Sequence, residues 1–524
     1  MTDGSVVVDG ESLTPDAVER VARRNATVRV PERAREAVRK SRERIVDIVE
    51  SGEAVYGVNT GFGELVQERI PDDDIETLQQ NLVRSHAAGT GRELAAEEVR
   101  AMLVTRLNAL VKGYSGVRER VVDVLVEMLN EAVHPVVKAK GSLGASGDLA
   151  PLAHLALVVT GEGEATVDDE RLSGSEALNK KNIDPVTLRA KEGLGLINGT
   201  QLTVGLASLV VCDAERAMQA ADIAGAMTTE ATMSTTASSH PSIQRVRPHQ
   251  GQTESAENVR RLTQNSEIVE SHRNCDRVQD AYSLRCLPQV HGAVRDSIQH
   301  LREAVETELN SVTDNPLVFP ADDADDRASG TENAAVLSGG NFHGQPLALR
   351  LDYVTSGLAE LASISERRMD RMLNPNIQEE HLPPFLTEGS GLRSGYMIAQ
   401  YTAADLVSTN RSQGRPSTDS IPVSGNQEDH VSMSAQSAYA ARETVESTLR
   451  VVGIELACAA QALDFVENLT PGVGTDAAYQ EVREHVPHLD EDRPIHRDIE
   501  SMLALLRSDT LLDVVETALD EPLE

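Results

Sequence analysis

The sequence predicts a mainly α-helical protein in which a smaller mixed N-terminal part precedes a bundle of long helices. Long runs with helical periodicity dominate the second half of the chain. The core must be aliphatic, because the chain has no Trp, only five Phe and eight Tyr. No internal repeat or low-complexity linker interrupts the pattern. The long predicted helices cover 283–307 (interrupted near Pro288), 344–372, 394–408 and 427–469, and runs of this length approach or exceed about 30 Å.

The N-terminal part, residues 1–200, alternates short strands with helices, whereas residues 201–524 form the long-helix bundle and the C-terminal helices. The first helix begins at Thr14-Pro15, because threonine caps a helix and proline fits its first turn. Glycine punctuates two predicted loops, at 55–63 and at 193–200. Further predicted elements are strands at 6–8 and 28–30, helices at 31–51, 75–86, 95–112, 117–133, 149–160 and 202–227, and a hairpin at 166–172.

The charge of the chain excludes some function classes. Lys and Arg number 49 against 83 Asp and Glu, so the net charge is −34 at pH 7, and lysine occurs at only seven positions. Nucleic-acid binding needs a basic surface, so this composition argues against it. An acidic, arginine-biased surface is typical of proteins from halophiles, where concentrated salt screens the repulsion between carboxylates.

No signal peptide precedes the start, and no apolar run approaches the ~20 residues of a membrane span. The cysteines (Cys212, Cys275, Cys286 and Cys458) are too dispersed for a zinc motif or a disulfide framework. Neither a zinc-protease nor a nucleotide-binding motif occurs. We therefore expect a cytoplasmic protein with no membrane, metal or nucleotide partner.

The segment 140–151 consists of glycine and small residues between two predicted helices. Its centre, Ala145-Ser146-Gly147, could become an electrophile made from the chain itself. If the amide nitrogen of Gly147 attacks the carbonyl carbon of Ala145, a five-membered ring closes across Ser146. Loss of two waters then leaves a methylidene group conjugated to an imidazolone. Glycine suits the attacking position because it tolerates strained backbone angles. For these three residues alone, a flexible surface loop is the alternative interpretation.

Polar side chains also occur in segments where apolar ones are expected. Gln279, Tyr282 and Arg285 are spaced so that they would lie along one side of a helix. The other positions are His86 at a predicted helix end and Glu428 in the polar run 426–433 at a predicted helix start. The glycine-rich loop 338–344 also contains Phe342, one of the few aromatic residues of the chain. Taken singly, each has a structural alternative, namely a helix cap, a satisfied core histidine or a solvated helix face.

Together these motifs resemble the aromatic amino acid ammonia-lyase family. The resemblance spans about residues 5–510 and is strongest in the segment around Ser146 and in the Tyr-Gly-Val-Asn-Thr-Gly-Phe-Gly sequence that begins at Tyr56. Further matching segments are 198–200, 315–316, 338–343 and 365–368. Segments 85–86, 270–286, 382–386 and 426–433 are most similar to the histidine-specific members. Segment 408–417, Ala281 and Leu287 depart from the usual pattern of those members, so the identity of the substrate stays slightly open.

The resemblance implies a long-helix bundle of the fumarase/aspartase-like type and a homotetramer whose active sites are shared between subunits. It implies that Ala145-Ser146-Gly147 forms a 4-methylidene-imidazol-5-one, with no metal and no diffusible cofactor. The implied reaction is the non-oxidative deamination of L-histidine to trans-urocanate and ammonia. A tyrosine or phenylalanine ammonia-lyase, or a 2,3-aminomutase, is the alternative within the family. A catalytically inactive helical scaffold, in which the ring does not form, is the alternative outside it.

The resemblance also implies roles for individual residues. Arg285 would bind the substrate carboxylate through a bidentate contact, and Tyr56 or Glu428 would take the β-proton. His86, Gln279 and Glu428 would match the polar edges of an imidazole. The implied catalytic residues are Ala145, Ser146, Gly147, Tyr56, Tyr282 and Glu428; the implied substrate-binding residues are His86, Asn198, Gln279, Arg285 and Phe342; and Asp148 would support ring formation and cap a helix.

Overall fold

The structure is a computed structural model that describes residues 4–52, 55, 57–58, 60, 70–71, 74–273, 277–325 and 327–524. Helices dominate it, which confirms the predicted fold class. Their bounds are Pro15–Arg23, Glu32–Ser51, Ile75–His86, Ala96–Val111, Glu119–Asn130, Leu149–Val159, Gly174–Lys180, Glu192–Ile197, Gln201–Ala231, Pro241–Val246, Gln250–Leu262, Glu267–Ser271, Tyr282–Arg285, Leu287–Leu309, Gln345–Leu373, Met397–Arg411, Ser434–Leu463, Val473–His485, His496–Arg507 and Thr510–Leu519.

Short strands form four small sheets. Val6–Val7 pairs in parallel with Val28–Arg29, whereas the other pairings are antiparallel. Thr90–Glu93 pairs with Lys138–Lys140, the order His134–Pro135, Glu164–Val167, Glu170–Ser173 makes a second antiparallel sheet, and Ala334–Leu337 lies between Leu317–Pro320 and Ser329–Gly330 in the third. The predicted hairpin is the Glu164–Val167 and Glu170–Ser173 pair, and its turn places Asp168 and Asp169 at positive φ.

The chain divides into two compact units. The first contains residues 1–212, 301–352 and 415–439, and the second contains residues 213–300, 353–414 and 440–524. All strands in the described ranges belong to the first unit. The first unit also holds the whole of the predicted N-terminal part, together with two later segments. The predicted domain boundary at residue 200 stays a prediction.

Three helices reach lengths of about 45 Å at 1.5 Å per residue. They are Gln201–Ala231, Gln345–Leu373 and Ser434–Leu463. The first is buried nearly all round, in keeping with its run of Ala, Val and Leu. A helix apolar on every side belongs inside a protein core. No helix in the described ranges is both long enough and apolar enough to cross a membrane.

Two predicted elements were wrong. The glycine-rich segment 193–200 is not only a loop, because Glu192–Ile197 forms a short helix that ends at Asn198. The helix predicted from residue 427 begins at Ser434 instead. Residues 427–433 are irregular and follow a single 3₁₀ turn, Ser424–Asn426. The polar side chains in this stretch therefore leave the backbone in several directions rather than along one helical face.

A network of buried charges lies in the core of the second unit. Arg368 forms two contacts with Glu455, at 2.5 and 2.8 Å, and both side chains are fully buried. Arg368 also donates to Nε2 of His291 at 3.0 Å, and Nδ1 of His291 donates to Asp222 at 2.7 Å. Burial lowers the pKa of His291, so its imidazole remains neutral and can accept from the arginine. Each buried charge thus has a partner, which its burial requires.

The first unit contains a histidine that should make folding sensitive to acid. His134 accepts a hydrogen bond from Arg100 at Nε2. Burial lowers the pKa of His134 to about 4, and the charge of Arg100 acts in the same direction. The unfolded chain titrates near the ordinary value of about 6.5, so it binds a proton that the folded chain excludes until the pH falls to about 4.

We predict that the folded chain loses stability as the pH falls from 6.5 to 4, and that His134→Gln reduces this loss. Urea denaturation at several pH values in this window, followed by circular dichroism, measures the effect. The exposed His249 supplies the control variant His249→Gln. An identical pH dependence for His134→Gln and the parent chain would contradict the assignment.

Candidate active site

A cavity of about 1020 Å³ lies in the first unit. Six of the residues predicted from the sequence line it: His86, Ala145, Ser146, Asn198, Phe342 and Glu428. They come from five separate stretches of the chain. The cavity therefore brings together motifs that the sequence places up to several hundred residues apart.

The segment 145–147 is clamped against the turn that follows Glu192–Ile197. The Ser146 carbonyl accepts hydrogen bonds from the Asn198 side-chain amide at 3.2 Å and from the Gly199 N–H at 3.3 Å. The Asp148 N–H donates to the Gly199 carbonyl at 2.7 Å. Gly147 has φ +72°, and a Cβ at this position would overlap the Gly199 carbonyl. Only glycine can occupy position 147 in this arrangement.

Asp148 is fully buried behind this segment. Its carboxylate accepts from Ser142 Oγ at 2.8 Å, from Thr203 N–H at 2.8 Å and from Thr203 Oγ1 at 3.2 Å. Burial raises the pKa of Asp148, and the hydrogen bonds from Thr203 and Ser142 oppose this rise. The predicted capping role was wrong, because the side chain makes no cap hydrogen bond to Leu149–Val159. The carboxylate instead joins the 142–148 segment to the start of Gln201–Ala231.

Arg106 supports the turn 195–201 from its other side. Its buried guanidinium donates to the Asn198 carbonyl at 2.8 Å and to Gln201 Oε1 at 2.7 Å, and it also contacts the Gly195 carbonyl. Burial lowers the pKa of Arg106 to about 10, so the side chain keeps its charge at neutral pH. Carbonyl oxygens at the end of a short helix are natural partners for a cation.

His86 is the last residue of Ile75–His86. Its Nδ1 lies 2.8 Å from the Leu82 carbonyl, one helical turn earlier. A carbonyl can only accept, so the proton lies on Nδ1, and Nε2 keeps a lone pair. Burial lowers the pKa of His86, which favours the neutral imidazole. His86 can therefore accept a hydrogen bond from a ligand in the cavity.

Phe342 and Glu428 reach the cavity from irregular segments. Phe342 belongs to the loop before Gln345–Leu373. The backbone of Glu428 is fixed by a hydrogen bond from the Val423 N–H to its carbonyl at 3.1 Å. Within the described ranges, Oε2 of Glu428 is buried without a hydrogen-bond partner, and so is Oδ1 of Asn198. Buried oxygens of this kind are unusual, and both atoms belong to cavity-lining residues.

The polar lining residues that sequence reasoning missed include Asn315, His343 and His430. Asn315 accepts from the Gly339 N–H at 2.7 Å and so positions the glycine-rich loop. The rings of His343 and His430 stack with centroids 5.8 Å apart and an angle of 6° between their planes. All three lie within the motifs that carry the family resemblance, and that membership is the signal that could have identified them.

Three predicted site residues lie in the second unit: Gln279, Tyr282 and Arg285. They are not among the described residues that line the cavity. The helix expected to align them is only Tyr282–Arg285, and Gln279 precedes it. The three are nevertheless close, because Arg285 donates to Gln279 at 2.6 Å and lies 4.4 Å from the Tyr282 ring centroid. The Tyr282 side chain is 71% exposed. Tyr56 lies outside the described residues.

Comparisons with known proteins agree with the geometry. Residues 13–484 match the aromatic amino acid lyase family. The chain is 62% identical over 524 residues to a probable histidine ammonia-lyase of Halobacterium salinarum, with all of both chains covered. It is 50% identical over 514 residues to the histidine ammonia-lyase of Gloeobacter violaceus, with 98% of each covered.

Solved structures of the same fold include an aminomutase and an ammonia-lyase. A tyrosine aminomutase from Streptomyces globisporus superposes with a TM-score of 0.92 at 39% identity, covering 99% of this chain and 100% of that one. A histidine ammonia-lyase from Trypanosoma cruzi superposes with a TM-score of 0.89 at 40% identity, covering 98% of this chain and 95% of that one.

The close approach of segment 141–148 to segment 430–434 generates a prediction. Gly144 has φ +77°, and a Cβ there would overlap Ser432 Oγ. We predict that Gly144→Ala lowers the free energy of unfolding by about 1–3 kcal/mol, from backbone strain and the displaced serine.

Gly414→Ala is the control, because no atom lies within 4 Å of a Cβ added at Gly414. It should change stability by less than about 0.5 kcal/mol. Adding Ser432→Ala to Gly144→Ala should recover part of the loss, since the overlap disappears while the backbone strain remains. Equal stability of Gly144→Ala and Gly414→Ala in urea denaturation would contradict the packing described.

Proposed function

Because the chain belongs to the aromatic amino acid lyase family, we propose that it is a histidine ammonia-lyase, which converts L-histidine to trans-urocanate and ammonia without oxidation. The observation that carries this proposal is the cavity whose lining includes Ser146, His86 and Glu428. The segment expected to form the electrophile and two side chains that can hydrogen-bond to an imidazole thus line the same cavity.

The geometry at 145–147 fits a self-formed ring. Gly147 lacks a Cβ where one would overlap Gly199, and the two hydrogen bonds to the Ser146 carbonyl fix the middle of the tripeptide. Such restraint brings reacting backbone atoms together at a small entropic cost. When formed, the methylidene-imidazolone supplies an electrophilic carbon that makes ammonia a better leaving group. Asn198 and Tyr282 would orient the substrate beside it, and Asp148 would support its formation.

Recognition of the imidazole would fall to His86 and Glu428. Nε2 of His86 carries a lone pair and can accept the substrate ring N–H. The phenyl ring of phenylalanine offers no such donor, so it would leave this buried acceptor without a partner. Phe342 would supply an apolar contact to the flat ring. These polar groups favour histidine over phenylalanine.

The β-proton must be removed by a base in the cavity. Glu428 is one candidate, since its Oε2 is buried without a hydrogen-bond partner in the described part of the chain. Tyr56 is the other, and both assignments remain open. A tyrosine would need a phenolate stabilised by positive charge or hydrogen bonds, because its ordinary pKa is about 10.

The substrate carboxylate requires a cation, and Arg285 is the candidate. A bidentate contact from arginine would fix the amino acid backbone of the substrate. Gln279 and Tyr282 contact Arg285 and would act with it. Since these three residues do not line the cavity of their own chain as described, we assign them to the site of a neighbouring subunit, in a homotetramer with shared active sites. The large exposure of Tyr282 supports this assignment.

Histidine deamination is favoured over two related activities. Phenylalanine deamination would not use the polar groups of the cavity, and tyrosine would offer them only its single hydroxyl. A 2,3-aminomutase would return the ammonia to the product. Because the chain is similar to a solved tyrosine aminomutase, aminomutase activity is one of the outcomes that the turnover assay must distinguish. The acidic composition and the similarity to a Halobacterium salinarum protein support a cytoplasmic enzyme adapted to salt.

The proposal predicts that the purified chain converts L-histidine to urocanate, measured by ultraviolet absorbance, and that Ser146→Ala abolishes this conversion. The intact parent chain should weigh about 36 Da less than its sequence, the mass of two waters, whereas Ser146→Ala should show no such deficit. Circular dichroism and gel filtration of the variant should match the parent. Turnover of tyrosine or phenylalanine but not of histidine would overturn the proposal.

Substitution of His86 tests imidazole recognition separately. We predict that His86→Leu lowers kcat/KM for histidine by about tenfold or more, because a buried hydrogen bond is lost. Ring formation, read by intact mass, should be unchanged. Arg84→Leu is the control on the same helix, since Arg84 is exposed and pairs with Glu162. An unchanged kcat/KM for His86→Leu would remove His86 from the substrate site.

A further inference from the structure

Segment 198–203, which we call the clamp segment, holds residues 146–148 through three hydrogen bonds to their backbone and two to the buried carboxylate of Asp148. Asn198 and Gly199 donate to the Ser146 carbonyl, Gly199 accepts from the Asp148 N–H, and Thr203 donates twice to the Asp148 side chain. Any group that fixes the clamp segment therefore fixes the backbone that must close into a ring.

Glu308 is such a group, and neither the sequence motifs nor the proposed reaction give it a role. It lies in the last turn of Leu287–Leu309. Thr200 Oγ1, in the middle of the clamp segment, donates to Glu308 Oε1 at 2.6 Å. The distance is normal for a hydroxyl–carboxylate hydrogen bond, and the contact joins residues 108 positions apart in the chain.

Glu308, which is half-buried, also interacts electrostatically with the buried carboxyl of Asp148. Burial raises the pKa of Glu308, the hydrogen bond from Thr200 opposes this rise, and the charge of Asp148 adds to it. The two carboxyls therefore act on the clamp segment from different positions: Asp148 binds Thr203, and Glu308 binds Thr200. Thr200 is fully buried and Glu308 is half-buried, so their hydrogen bond is shielded from water.

We propose that Glu308 is a positioning residue for ring formation at 145–147, acting through Thr200. This inference rests on the proposed function, because it concerns the maturation of the same site. By fixing the Thr200 side chain, Glu308 limits the movement of Gly199 and so keeps Gly147 pressed against it. The gain is one of orientation, since the reacting atoms belong to a single chain.

The reaction that is positioned involves no oxidant. A bond forms between the Gly147 nitrogen and the Ala145 carbonyl carbon. The Ala145 carbonyl oxygen leaves as water with the amide hydrogens of Gly147 and Ser146, which creates a carbon–nitrogen double bond. The Ser146 hydroxyl leaves as a second water with the Cα hydrogen of the same residue, which creates the methylidene group. Glu308 contributes no atom to either water.

The experiment follows maturation rather than turnover. The full-length parent chain and the variants Glu308→Ala, Thr200→Val and the double variant are expressed briefly and purified as folded protein. Each is then sampled over hours by intact mass spectrometry for the loss of about 36 Da. We expect Glu308→Ala and Thr200→Val each to slow ring formation by about tenfold or more, since each removes the same hydrogen bond. The double variant should be no slower than the slower single variant.

Two further variants separate positioning from general damage. Glu308→Gln keeps an oxygen that accepts from Thr200, so it should form the ring within about threefold of the parent rate. Glu306→Ala removes a carboxyl from the same helix, where Glu306 pairs with Arg302 at 3.2 Å, and should mature as the parent does. Chains of Glu308→Ala that have matured should show the KM of the parent. A merely structural role would lower the folded fraction instead of leaving folded chains with the full mass.

The possible failures are distinguishable. If the folded parent never loses two waters, the proposed function fails before Glu308 is considered. If the parent matures and Glu308→Ala matures equally fast, only the role of Glu308 is overturned. Additive slowing in the double variant, or a folded Glu308→Gln that matures as slowly as Glu308→Ala, also overturns it. If Glu308→Ala does not fold, the comparison of Thr200→Val and Glu308→Gln with the parent decides the question.

Discussion

The close contact between Gly147 and Gly199 is the constraint on which the rest of the site depends. A side chain at position 147 would overlap the Gly199 carbonyl, and one at position 199 would overlap Gln201 and approach Arg106 and Thr313. Glycine at position 147 lets two backbone segments about fifty residues apart touch, and glycine at position 199 lets the second segment pack against Gln201 and Arg106. The contact sets the position of Ser146, and the cavity is built around it.

Burying this contact brings charged groups into the protein interior, where each needs a partner. Asp148 accepts hydrogen bonds from Ser142 and Thr203, and the terminal nitrogens of Arg106 donate to carbonyl and amide oxygens of the turn that it supports. These charges favour one arrangement of the backbone, because a shift of the turn would leave an ion unpaired in a medium of low dielectric constant. Rigidity at the tripeptide is thus a property of the polar groups behind it.

The same cavity combines this rigid segment with groups that match an imidazole. The neutral His86, held by the Leu82 carbonyl, offers an acceptor, while Leu82, Leu149 and Leu194 supply apolar surface. Full-length relatives at 46–62% identity are named histidine ammonia-lyases or a probable one, which agrees with the function predicted from the motifs. The fold alone does not select the substrate, since an aminomutase and an ammonia-lyase superpose equally well on this chain.

Local patterns determined much of the chain by themselves. The threonine cap and proline before Pro15–Arg23, the hairpin at Asp168-Asp169 and the long aliphatic helix Gln201–Ala231 were readable, because caps, turns and periodicity act over a few residues. The family motifs also identified six residues that line one cavity. Only the tertiary structure decided that the Asp148 side chain binds Thr203 instead of capping its helix, and that Glu428 lies outside the helix expected for it. It also decided that Arg106, Asn315 and Glu308 bind segments that form the site. These outcomes depend on contacts between segments that are distant in the sequence. A buried polar group needs a hydrogen-bond partner, and that partner is a residue that the fold brings near, which no local sequence pattern identifies.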